Sequence, residues 1–125
     1  MTMPHERLRA IGWGAELLEA LQRDQTVQQE LRDEAKRVAT TYPSAQLLIG
    51  LFASDAREFP TSAGQSIEDT RALFEKVQST GTGTADTRRH LRFTMRHFPL
   101  AGWAEDAGHA ARLGRLHDWL APDLG

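Results

Sequence analysis

The chain has 125 residues, 40% of them hydrophobic and 26% charged, with a formal net charge of −2. That length fits one globular domain able to bury roughly two-thirds of its unfolded surface, and so small a net charge gives no global drive toward nucleic acid or an acidic membrane. The absence of cysteine excludes disulfides, thiolate metal sites, iron–sulfur clusters and a cysteine nucleophile.

Helical spacing dominates from the start. Pro4 and His5 lead into "ERLRAIGWGAELLEALQRD", in which Leu8, Ile11, Ala15 and Leu18 share a face that Leu17 and Leu21 widen. Acids and arginines stand there where a signal peptide would place its apolar core. Gly12 and Gly14 each cost up to ~1 kcal/mol inside a helix, so close packing against a neighbouring helix is the expected compensation. "TVQQELRDEAKRVATTYP" reads as a second helix, with Thr26 as cap and Gln29 completing a capping box. It should stop near Tyr42, because Pro43 pushes the preceding residue out of the helical region.

In "SAQLLIGLFASDAREFP", Ser44 can cap a third helix. Its apolar residues Leu47, Leu48, Ile49, Leu51 and Phe52 point nearly all round, which predicts a central buried helix. So short an apolar run also leaves a buried strand open. The run is far below the ~20 residues of a membrane span, and a soluble cytoplasmic protein with no membrane partner is expected. "PTSAGQ" reads as a loop, followed by a helix that Ser66 and Asp69 open as a cap-like pair. Ile67, Ala72 or Leu73, Phe74 and Val77 face inward in it. "STGTGTAD" reads as a flexible linker, with Asp86 capping a basic helix, "TRRHLRFTMRHFP". A last helix runs from Trp103 and is stopped by Pro122.

The two halves echo each other. "ERLRAI" at 6–11 matches "EDTRAL" at 68–73, and "LRDEAKRVATTYP" matches "TRRHLRFTMRHFP", with Arg32 and Arg88 each eleven residues before a proline and Tyr42 matching Phe98. This predicts a single all-α domain over 1–125. Its five or six helices form a bundle of two related helical hairpins, 6–43 and 68–99, around the "QLLIGLFA" segment.

"MTMPHER" and "ELRDEAKRVATTYPS" also resemble a family of small uncharacterised bacterial proteins that opens Met-Thr-Met-Pro-x-Glu-Arg. That family carries Leu-Arg-x-Glu-Ala closed by Arg-His-Tyr-Pro-Ser. The likeness covers residues 1–44 and departs at Thr40 and Thr41, whereas Arg96-His97-Phe98-Pro99 lies nearer the closing motif. The resemblance implies a small helical protein and brings no activity and no catalytic residues.

The chemistry therefore rests on the basic helix. Residues 87–99 hold four arginines, two histidines and no acid. Arg88, Arg92 and Arg96 stand four apart in one stripe beside an apolar face of Leu91, Met95 and Phe98, and Arg89 and His97 extend the basic surface. Such a stripe could meet an acidic protein surface, follow a phosphate backbone, or be neutralised inside the bundle, since residues 44–86 carry six acids against three bases. No helix-turn-helix turn, zinc finger or stacking motif strengthens the nucleic-acid alternative. Trp103 and Trp119 are the candidate anchors wherever they are exposed, and Trp119, four after Arg115, is placed for a cation–π contact. A zinc site from His97, Glu105 and His109 is conceivable but lacks a dense ligand motif. "GTGTAD" lacks the strand, third glycine and lysine of a phosphate loop, and "TSAGQS" is not a nucleophile elbow. The expectation is a non-enzymatic protein without cofactor that binds an acidic protein partner. A regulator, adaptor or inhibitor, such as mobile elements direct at bacterial defence complexes, has this character. Oligomeric state stays open, because "LLIGLFA" suits either a core or a dimer seam.

Overall fold

A computed structural model describes residues 2–122 and is all-helical, with six α-helices and no strand among them. Helix α1 spans Pro4–Arg23. Proline is at home in its first turn, and Glu6 accepts the Met3 N–H at 2.8 Å. Its buried stripe is Ala10, Ile11, Gly14, Leu17, Leu18 and Leu21, while Ala15, expected on that face, is exposed. Helix α2 spans Gln29–Ala39 and has no side-chain cap. Thr26 is not the cap that its sequence suggests, since its N–H and hydroxyl both donate to Asp24 instead, at 2.9 and 2.6 Å.

Helix α3 spans Ala45–Ala53, and Ser44 caps it by accepting the Leu47 N–H. It is not the central buried helix expected from its composition. Leu48 is its one buried side chain, and Leu47 and Ile49 are 42% and 44% exposed. A nine-residue helix that packs chiefly on α1 cannot be covered on every side, however apolar it is. Helix α4 spans Thr61–Thr80. The stretch read as a loop is thus its first turn and a half. Ser66 does not cap but lies buried inside it, donating to the Val38 carbonyl at 3.4 Å and accepting the Thr41 hydroxyl at 3.1 Å. Ile67, Leu73, Phe74 and Val77 face inward as expected, and Ala72 does not.

Helix α5 spans Ala85–Met95, capped by Thr84 rather than Asp86, which sits in the first turn. Helix α6 is shorter than expected, Trp103–Arg112. Gly114, at φ 72°, ends the helical path, and a single 3₁₀ turn, Leu116–Asp118, follows. Glycine is needed there because L side chains strain at such a φ.

Helices α1, α2, α4 and α5 form a ring, closed most weakly between α4 and α5, with α6 on α4 and α3 on α1. The two aromatic–proline stops meet on α1. A Cβ on Gly14 would run into the Tyr42 hydroxyl and stand 2.8 Å from Phe98. Tyr42 donates to the Ile11 carbonyl at 2.5 Å, and burial raises its hydroxyl well above the usual range. Phe98 packs edge-on against Phe74. The compensation foreseen for both glycines thus holds for Gly14 alone, since nothing lies within 4 Å of where a Gly12 Cβ would be.

Gly12→Ala should raise stability by up to about 1 kcal/mol through helix propensity, whereas Gly14→Ala should lower it by about 1–3 kcal/mol through overpacking. Denaturant midpoints check this, and equal effects would remove Gly14 as a contact point. By the same measure Leu48→Ala should cost about 2–5 kcal/mol and Ile49→Ser stay within about 0.5 kcal/mol. The reverse order would return α3 to the core.

Candidate protein-binding surface on the basic helix

The placement of α5 begins at one buried carboxylate. Asp24 follows the last turn of α1 and is 8% exposed. One oxygen takes the N–H and hydroxyl of Thr26, and the other takes the Thr84 N–H at 2.9 Å. A single side chain therefore joins the α1–α2 connection to the residue that caps α5. The segment read as a flexible linker is pinned: Gly83, at φ 104°, lies against Thr87 and Asp24. Burial disfavours the Asp24 charge, but these hydrogen bonds outweigh it and hold the carboxyl well below the usual carboxylate range. At the other end of α5, His97 Nε2 meets Glu6 at 3.1 Å and its Nδ1 lies 3.1 Å from the Thr2 hydroxyl. Between them, Trp13 of α1 packs edge-on against Phe93, with ring centroids 5.6 Å apart.

Held this way, α5 buries Thr87, Leu91 and Thr94 and turns Arg88, Arg89, Arg92 and Arg96 to solvent. No acid from another helix neutralises them among the described residues. Arg89 pairs with Asp86 of its own first turn at 3.4 Å, Arg88 reaches the Gly81 carbonyl at 3.5 Å, and Arg96 lies over the Phe93 ring at 5.7 Å. Arg92 has no ion pair or hydrogen bond among the described residues. Several acids of other elements are engaged elsewhere, and Glu16 of α1, beside Arg89 at the α1–α5 cavity, forms no ion pair with these arginines. Glu75 pairs with Arg71, Asp55 with Arg57 and Glu34 with Lys76, and Glu68 accepts the Gly102 N–H.

The other expected members leave this surface. His97 faces Glu6 and the N-terminal segment, because α5 ends at Met95 and the chain turns there. Trp103 is 4% exposed and packs edge-on against Phe59, so it is a core residue and no anchor. Trp119 is half-buried beside the start of α1, and its cation–π partner is Arg7 at 5.0 Å, not Arg115, which pairs with Asp118. His97, Glu105 and His109 are not brought together, and the described residues contain no group of three or more His, Asp or Glu placed to hold a metal ion.

Phe93 was missed. It is 53% exposed at the centre of the arginine face, and with Trp13, Glu16, Asp86, Arg89 and His90 it lines an open cavity of about 380 Å³ between α1 and α5. The sequence held one signal: Phe93 stands two residues after Leu91, out of phase with the apolar side of its helix. No family model, curated protein or solved structure matches the chain. No described helix is long and apolar enough to cross a membrane.

The lowered folded-state pKa of Asp24 has a signed consequence. Its contribution to stability is present above the unfolded carboxyl value of about 3.9 and is lost as pH falls through that value toward the folded one. Asp24→Asn should cost about 1–3 kcal/mol at pH 7, by leaving a buried donor without its acceptor. The gap between parent and variant in denaturant titrations should narrow on acidification. A gap independent of pH would remove the carboxylate clip.

Proposed function

We propose that the chain is a non-enzymatic protein-binding protein, a regulator, adaptor or inhibitor, and that the outer face of α5 meets an acidic surface of another protein. The observation that carries this reading is the arginine face left without interhelical acids around a half-exposed phenylalanine. Arginine and aromatic side chains dominate binding hot spots. Arginine offers a flat fork of donors that matches carboxylates in pairs, and unneutralised charge speeds encounter with an acidic partner.

Nucleic acid is the second reading, and the repeat of Arg88, Arg92 and Arg96 at one-turn intervals favours it. Against it stand Glu16 and Asp86, which would face phosphates beside Phe93. Four phosphate contacts would give a log–log salt slope of about −3 to −4.

The test is capture of partners from nuclease-treated host lysate with the parent chain and with an R89E/R92E/R96E variant. The exposed positions leave folding intact. A stoichiometric protein held by the parent and lost from the variant supports the reading. Capture that nuclease abolishes transfers the face to nucleic acid. An identical set of proteins on both baits sinks the α5 interface.

A further inference from the structure

The cavity beside Phe93 has a shape and a charge frame that narrow the partner's chemistry. Two aromatic rings, of Trp13 and Phe93, form its apolar wall. Arg89 and Arg96 lie one turn to either side of Phe93 on α5, the first paired with Asp86 and the second resting on the ring itself. At 1.5 Å per residue the two guanidinium attachment points are about 10 Å apart along the helix axis. We infer that the cavity takes one uncharged apolar side chain, Leu- to Phe-sized, from an acidic amphipathic helix of a partner protein, whose carboxylates three or four residues before and after that anchor pair with Arg89 and Arg96. The inference rests on the protein-binding reading of α5.

Charge complementarity selects this occupant. A cationic side chain could stack on the rings, but Arg89 in the cavity wall and Arg96 over Phe93 oppose it, Asp86 is already paired with Arg89, and Glu16 alone favours it. A phosphate chain has no apolar group to fill the cavity and would approach Glu16. An uncharged anchor escapes both penalties, and burying an apolar side chain against two rings is favourable on its own. The groove between α1 and α5 suits a helix laid along it, read through residues on one face. A helical partner places residues seven apart about 10 Å from each other, which matches Arg89 to Arg96, whereas an extended strand would need acids about three apart.

The test uses the full chain and a displayed library of random sixteen-residue peptides, selected on the parent and measured on parent, Phe93→Ala and an R89Q/R96Q variant. Phe93 is half-exposed, so Phe93→Ala folds, and circular dichroism with a parent-like melting curve verifies it. The expected result is enriched peptides with an apolar residue flanked by acids three or four positions to each side. Their binding should fall about ten-fold or more on Phe93→Ala and again on the arginine variant. Acidic peptides that ignore Phe93→Ala would overturn the anchored helix and leave the charge reading standing. Peptides with acids three apart would overturn the helical form. Enrichment independent of both variants, or no enrichment over them, would overturn the inference and remove its support from the interface.

Discussion

The frame turns on the absence of one Cβ. Gly14 is the place where the chain ends of α2 and α5 both come down on α1, Tyr42 through a hydrogen bond to Ile11 and Phe98 through ring contact. Any side chain there would force both aromatics outward, and the two helices with them. Helix α5 is then fixed in rotation as well as position. It runs antiparallel to α1, clipped at its start by Asp24 and at its end by Glu6 and His97. With Leu91 and Thr94 turned to the core, helical geometry leaves no freedom over where Arg89, Arg92, Phe93 and Arg96 point.

The clip at Asp24 and the pair at Glu6 differ in kind. Asp24 is enclosed and receives donors on both oxygens, so its charge is bound into the fold. Glu6 is half-buried, and the Met3 N–H is the main cause that keeps its carboxyl low, with His97 a lesser one. A single contact of that sort, open to solvent on one side, adds less than an enclosed carboxylate with donors on both oxygens. The stronger fastening therefore sits at the start of α5, where the arginines begin, and the weaker one at its end.

Much of this was legible in the residues, and what was not has physical causes. The all-helical class followed from spacing, and Ser44 was read correctly as a cap because it is followed at once by an apolar run. Thr26 and Asp86 do not cap because capping groups compete: Asp24 captures Thr26, and Thr84 holds the position just before α5 while Asp86 already lies inside its first turn. Helix α3 was misplaced because an apolar residue on every side signals burial only when enough neighbours exist to cover it, a property of the whole chain. Phe93 was passed over for the same reason in reverse. Its hydrophobicity suggests core, its phase against Leu91, Met95 and Phe98 points outward, and the rotation fixed at Gly14 and Asp24 exposes it.

The distribution of charge gives the surface its reach. Residues 87–99 hold four of the fifteen basic residues and none of the seventeen acidic ones, so the rest of the chain carries eleven against seventeen. The molecule is acidic in sum and basic along one helix. Some of its acids are held in local pairs and helix-to-helix contacts, Asp86 with Arg89 and Asp24 at the cap of α5 among them. Neutralising the arginines internally would have required an ion pair from the flank of α1 that faces α5. That flank offers Trp13 in mid-helix, while Glu6 is drawn to His97 and Glu16 lines the cavity rim. An aromatic in that place cannot cancel a charge, but it can support Phe93 from behind and keep the ring at the surface among the arginines. With Glu16 in no ion pair among the described residues and Trp13 against Phe93, that flank leaves the charge open and builds the apolar wall beside it.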